Sequence, residues 1–121
     1  MAGASTDTPI AGVGTDKLFE NDKVIVWNFE LAPGEETPIH THEHEYVWYA
    51  IEGSSLQVFD EEGKDLGTLP VPTGAVYELK LEDGHLEVVS ELAKGARVPV
   101  THKAKNVGPT RYREILVEYK K

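Results

Sequence analysis

The stretch GEETPIHTHEHEYVWYAIEG, Gly34 to Gly53, decides how this chain is read. It places histidines at 40, 42 and 44, then a run from Tyr46 to Ile51 that is β-branched or aromatic at nearly every position, and it is closed at both ends by glycine. Residues two apart on a strand share a face and lie about 6.5–7 Å apart, so the imidazoles of His40 and His42 can converge on one ion at roughly 2.0–2.1 Å each. A polar edge strand with exposed histidines has the same local pattern, so the surroundings must decide between the two.

Upstream, Ile25, Trp27, Phe29 and Leu31 alternate with Val24, Val26, Asn28 and Glu30, the period of a strand with one buried face, and Pro33-Gly34 ends it. Downstream, Leu56 and Val58 open a further strand, and Glu61-Glu62-Gly63-Lys64 reads as a hairpin turn with a solvated acidic tip. Leu66–Leu69, Ala75–Leu81, Leu86–Val89 and Ile115–Tyr119 are further short strands between Gly- and Pro-containing turns. No window sustains a 3.6-residue period. The chain is all-β, and short strands at close spacing predict an antiparallel sandwich or barrel, which pairs or closes its edges. Residues 1–16 are small and polar without periodicity, and are expected to form a mobile N-terminal arm or a tail packed on a partner subunit.

The bulk composition narrows the function. The 121 residues suit one domain. With 12 Lys+Arg against 21 Asp+Glu the formal charge is −9, which repels a phosphate backbone and argues against a nucleic-acid partner. Cysteine is absent, so thiolate metal sites, disulfides and Cys nucleophiles are excluded, and a metal here must use imidazole, carboxylate or phenolate. No segment approaches the ~20 apolar residues of a membrane helix, and the N-terminus has no signal-peptide pattern, so no membrane association and a cytoplasmic location are expected.

The spacing Gly34, five residues, His40, one residue, His42, three residues, Tyr46, six residues, Gly53 resembles the first cupin motif. Val100-Thr101-His102-Lys103-Ala104-Lys105-Asn106 resembles the histidine-three-asparagine end of the second motif, with a last strand after it. The resemblance to small single-domain cupins covers about residues 18–120. It implies a cupin-type antiparallel β-barrel (jelly roll), one cupin domain over 17–121, and one divalent transition metal ion on His40, His42 and His102. Two departures stand out. Tyr46 occupies the position where the family usually has a metal-binding glutamate, and Glu45 lies one residue too early for it. The second motif is irregular as well: about Leu81 to Pro99 reads as an inserted hairpin, and a competing alignment puts Tyr77 at the third histidine. Asn106 and the final strand favour His102.

Three neutral imidazoles leave coordination positions open, and Fe, Ni, Mn, Cu and Zn all accept such ligands. Tyr46 is the candidate catalytic residue, as a phenol acting on substrate or metal; His44, Glu45 and Tyr77 are candidates for a further ligand. His85 follows Asp83-Gly84 and reads as a turn residue. The expected function is a metal-dependent enzyme acting on a small polar organic molecule by oxygenase, isomerase or lyase chemistry. Alternatives are a non-catalytic binding or sensory module and a barrel stapled by its metal. A homodimer is expected, because Tyr46–Ile51 is apolar on both faces and one barrel interior hides only one of them.

Overall fold

In the computed structural model residues 14–120 are described, and among them every regular element is a strand. There are eleven: β1 (Asp16–Glu20), β2 (Val24–Leu31), β3 (His40–Thr41), β4 (Glu45–Glu52), β5 (Ser54–Asp60), β6 (Asp65–Val71), β7 (Val76–Glu82), β8 (His85–Val88), β9 (Arg97–Pro99), β10 (Thr101–Asn106) and β11 (Tyr112–Tyr119). They form a seven-stranded sheet in the order β9-β8-β7-β4-β11-β2-β1 and a four-stranded sheet in the order β3-β10-β5-β6, with every pairing antiparallel. No helix among the described residues is long and apolar enough to cross a membrane.

The two sheets enclose Phe29, Leu31, Ala50, Leu56, Val71, Leu86, Tyr112 and Leu116. The alternation read in β2 and β4 sets which residues face inward: Phe29 and Leu31 from β2, and Tyr46 and Ala50 from β4, are buried, while Tyr49 is half exposed on the outer face. Turn chemistry fixes the registers. Glu82 pairs with His85 across a two-residue loop whose Asp83 and Gly84 have φ of 49° and 77°, the left-handed pair that a tight hairpin demands. Gly53 is required for space, since a Cβ there would stand 2.1 Å from the Val71 carbonyl oxygen.

Several elements differ from the sequence expectation. The polar N-terminal segment was expected to run to residue 16, but Thr15 N–H donates to the Asn28 carbonyl at 2.7 Å and Asp16 opens β1. Residues 1–13 of the expected arm lie outside the described residues. All five residues of β1 are exposed, so it carries no alternation to read. In β10 the inward residues are His102, Ala104 and Asn106 and the outward ones Thr101, Lys103 and Lys105, so hydropathy does not mark a buried face although one exists. The segment from about Leu81 to Pro99 agrees with the expectation of a hairpin: β8 pairs with β9 and extends the large sheet to its edge.

Asn106, fully buried, ties the ends of several strands together. Its Nδ2 donates to the carbonyls of Leu31 at 2.9 Å and Thr110 at 2.8 Å. Its Oδ1 accepts from Ser54 Oγ at 2.7 Å and Gly108 N–H at 3.0 Å. One side chain thus joins β2, β5 and the turn that feeds β11, which is the reason a short amide ends β10. Asn106→Leu removes all four bonds and leaves two carbonyls without donors. The expected loss is about 3 kcal/mol or more in urea unfolding. Asn106→Asp, which turns the donating edge into an acceptor facing two carbonyls, is expected to be no milder.

Candidate metal centre and its pocket

β3 and β10 bring the three histidines together through a register the sequence dictates. His40 pairs with His102 and Thr41 with Thr101, so the two threonines meet on one face, Oγ1 to Oγ1 at 2.9 Å, and the two imidazoles meet on the other. His42 follows, held by its N–H donating to the Val100 carbonyl at 2.9 Å. All three side chains are buried. Ring centroids lie 5.0 Å apart for His40 and His42, 4.8 Å for His40 and His102, and 5.0 Å for His42 and His102. One nitrogen from each lies within 4.8 Å of the others.

Hydrogen bonds orient two of the rings. Nδ1 of His40 lies 3.1 Å from the Pro38 carbonyl oxygen and Nδ1 of His102 lies 2.7 Å from that of Pro99. A carbonyl only accepts, so each Nδ1 carries the proton and each Nε2 keeps its lone pair. This is the arrangement that presents imidazole to a metal. Nδ1 of His42 is buried with no partner among the described residues. Burial disfavours the charged form of all three. His40 is pushed down to about 4 by desolvation and by the neighbouring His102, and His42 and His102 are lowered for the same first reason. The rings are therefore neutral at physiological pH, as a metal ligand must be. The donor set fits a divalent transition metal ion.

Tyr46 lies directly against this group. Its ring stacks on His42 with centroids 4.4 Å apart and planes 14° from parallel. Burial, together with the nearby carboxyls of Glu114 and Glu118, holds its phenol well above the ordinary range, so it keeps its proton. Both the histidines and Tyr46 line a cavity of about 240 Å³ between the sheets, whose other walls are largely apolar.

The other candidates fall elsewhere. Glu45 lies off the cavity wall, its Oε2 accepting from the Leu81 N–H at 3.2 Å. Tyr77 lines the cavity, but its hydroxyl donates to the Pro70 carbonyl at 3.1 Å. His44 is half-buried in the turn after His42, and His85 is exposed with Nδ1 3.1 Å from the Asp83 carbonyl oxygen. Two buried carboxyls were not read from the sequence. In Tyr112-Arg113-Glu114-Ile115-Leu116-Val117-Glu118 the apolar Ile115 and Val117 face outward while Glu114 and Glu118 face inward. Charged residues at these positions read as solvent-facing, and the signal that could have corrected this was the shared phase of Tyr112, Leu116 and both glutamates. Glu118 accepts from the indole N–H of Trp27 at 2.7 Å; Glu114 accepts a short bond from the Tyr112 hydroxyl.

No protein-family model and no curated protein matches the chain. Solved structures do. A cupin domain from Bordetella pertussis aligns with a TM-score of 0.65 at 21% identity, over 95% of this chain and 100% of its own. An RmlC-like cupin with a double-stranded β-helix fold from Methanocaldococcus jannaschii gives 0.54 at 14% identity, over 87% and 77%. The polyketide cyclase RemF from Streptomyces resistomycificus gives 0.50 at 20% identity, over 87% of this chain and 63% of its own. This chain has the fold of the RmlC-like cupins.

The lowered histidine pKa values imply an acid limit for the metal-free protein. A folded pKa below the unfolded 6.5 contributes stability that is complete above pH 6.5 and lost as pH falls toward the folded value. For His40, a fall from 6.5 to about 4 corresponds to roughly 3 kcal/mol. In the presence of a chelator, wild type is expected to lose stability to urea between pH 7 and pH 4 more steeply than His40→Gln does. Parallel profiles would show that folding does not lower the His40 pKa.

Proposed function

We propose that this chain is a metal-dependent cupin enzyme in which His40, His42 and His102 hold one divalent transition metal ion and a small organic molecule reacts beside it. The observation that carries the reading is three buried imidazoles, with one nitrogen of each within 4.8 Å of the others, on the wall of a 240 Å³ cavity. When bound, such an ion polarises a carbonyl or hydroxyl oxygen, or as iron supports oxygen chemistry. The chain's own residues do the rest. The Pro38 and Pro99 carbonyls fix two ring orientations, and Tyr46 braces His42 and offers a protonated phenol at the cavity wall. The apolar walls exclude water and pack the body of a molecule whose polar end faces the imidazoles. A site that merely stapled the barrel would have no need of the adjoining cavity, which favours a reacting or bound molecule over a structural metal.

Elemental analysis of protein from metal-replete culture is expected to find about one ion per chain. His40→Ala, His42→Ala and His102→Ala should each lose most of it, whereas His85→Ala should not. Iron- and zinc-loaded forms screened against small keto, enol and hydroxy acids, with oxygen uptake and mass spectrometry as readouts, separate turnover from binding. A form that binds a compound tightly and returns it unchanged replaces the enzyme reading with the binding-module reading.

We also propose a homodimer through the outer face of the large sheet, where Tyr49 pairs with Val76 and Ile115. Tyr49 is 50% and Val76 46% exposed there. Light scattering is expected to give twice the chain mass of 13.4 kDa at micromolar concentration. Tyr49→Lys is expected to shift the protein toward monomer, and a monomeric wild type overturns the proposal.

A further inference from the structure

The seven-stranded sheet brings a second polar group to the cavity, on the sheet facing the one that carries His40 and His102. Glu114 is 2% exposed and lies on the inner face of β11, paired across to Phe29 of β2 and Ala50 of β4. It forms part of the cavity wall. Tyr112, two residues earlier on the same face, donates its hydroxyl to Glu114 Oε1, and the Tyr46 phenol lies within electrostatic reach. That bond from Tyr112 is the one hydrogen bond Glu114 accepts among the described residues.

Nothing in the closure of the barrel uses this carboxyl. Asn106 ties strand ends together, Glu118 satisfies the Trp27 indole, but among the described residues Glu114 bonds no backbone group and no residue of the opposite sheet. A buried carboxyl with one phenol partner is costly, and an apolar residue of its shape would pack at less expense. Nearby is a second unused polar group: Nε1 of Trp48 is a buried donor with no partner among the described residues. Trp48 also lines the cavity, its ring 5.1 Å from that of Tyr77 and 6.2 Å from that of Tyr112. Beside one wall of an apolar cavity there are thus a carboxyl braced by a phenol and a buried indole N–H without a partner among the described residues.

The size of the cavity limits what can satisfy them. Dry cavities of about 150 Å³ accept benzene and drug-sized sites begin at roughly 300 Å³. A volume of 240 Å³ lies between, the room for one substituted ring.

We propose that Glu114, braced by Tyr112 and aided by the indole N–H of Trp48, is a specificity-determining residue that binds the hydroxyl or enol oxygen of a small ring compound. The faces of the ring pack on Phe29, Leu56 and Leu116. This inference rests on the reading that the cavity receives the reacting molecule, and it assigns that molecule two polar ends, one toward the histidines and one toward Glu114.

The test uses the full chain, zinc-loaded, with 4-hydroxyacetophenone and 4-methylacetophenone, which differ only by hydroxyl against methyl. Calorimetry on wild type is expected to show the hydroxyl compound bound at least about tenfold tighter. Glu114→Leu should bring that ratio to near one while affinity for the methyl compound stays within roughly threefold and metal content is unchanged. Glu114→Gln, which keeps the shape and an acceptor for Tyr112, should lower the ratio at least about threefold and guards against misfolding of the leucine variant. A ratio unchanged in either folded variant, or a metal-loaded wild type that binds neither ring, overturns the inference. A wild type that takes up no zinc but still shows the Glu114-dependent preference overturns the metal reading and supports this one.

Discussion

A polar group inside this barrel has to find its partner inside the barrel, because the space between the sheets is narrow and its walls are mostly apolar. The fold and the site both follow from how that constraint is met. Asn106 meets it completely, with two donors and two acceptor bonds all used, and the result is a rigid junction among strand ends. His40 and His102 meet it halfway, one nitrogen bonded to a carbonyl and the other left as a lone pair. Nδ1 of His42, Nε1 of Trp48 and the carboxyl of Glu114 meet it least, and all three side chains line the cavity. Satisfaction is thus complete at the strand junction around Asn106 and incomplete, among the described residues, at these cavity-lining side chains.

Charge follows the same division. Desolvation lowers the three histidines and raises Glu114, Glu118 and Tyr46, so it drives acids and bases alike toward their neutral forms. The chain is strongly acidic as a whole, and burial works against charge in its interior. The ion pairs, such as Lys120 with Glu20 and Lys103 with Glu36, stay at the surface, where solvent screening leaves them little stabilising weight.

Most of the fold was legible because its strands obey simple alternation, and its turns use residues with one structural meaning, as at Asp83-Gly84. Part of the histidine group was legible from spacing, since a two-residue step puts His40 and His42 on one face, whereas His102 was reached only through the resemblance of residues 102–106 to the end of the second cupin motif. What escaped reading has one physical cause. In β10 and β11 inward positions are held by histidine, asparagine and glutamate, while β1 buries nothing, so hydropathy carries either no phase or a reversed one. The residues that break the pattern in β11 are those with unassigned chemistry. Tyr46 in place of a carboxylate was visible as a departure, but the carboxyl of Glu114, supplied to the same cavity from a different strand, was not.

The hairpin of β8 and β9 stands at the edge of the large sheet, paired there with β7, and Val88, Ala96, Arg97 and Val98 from it form part of the cavity wall. The histidines, Tyr46 and Glu114 belong to other strands. Side chains on this segment can therefore change the wall, whereas its last residue cannot shift freely, because the Pro99 carbonyl holds the ring of His102. In engineering terms the shape of the cavity and the placing of the imidazoles are carried by different atoms of one segment, side chains for the first and a backbone carbonyl for the second, so the first can be varied by substitution while the second is kept.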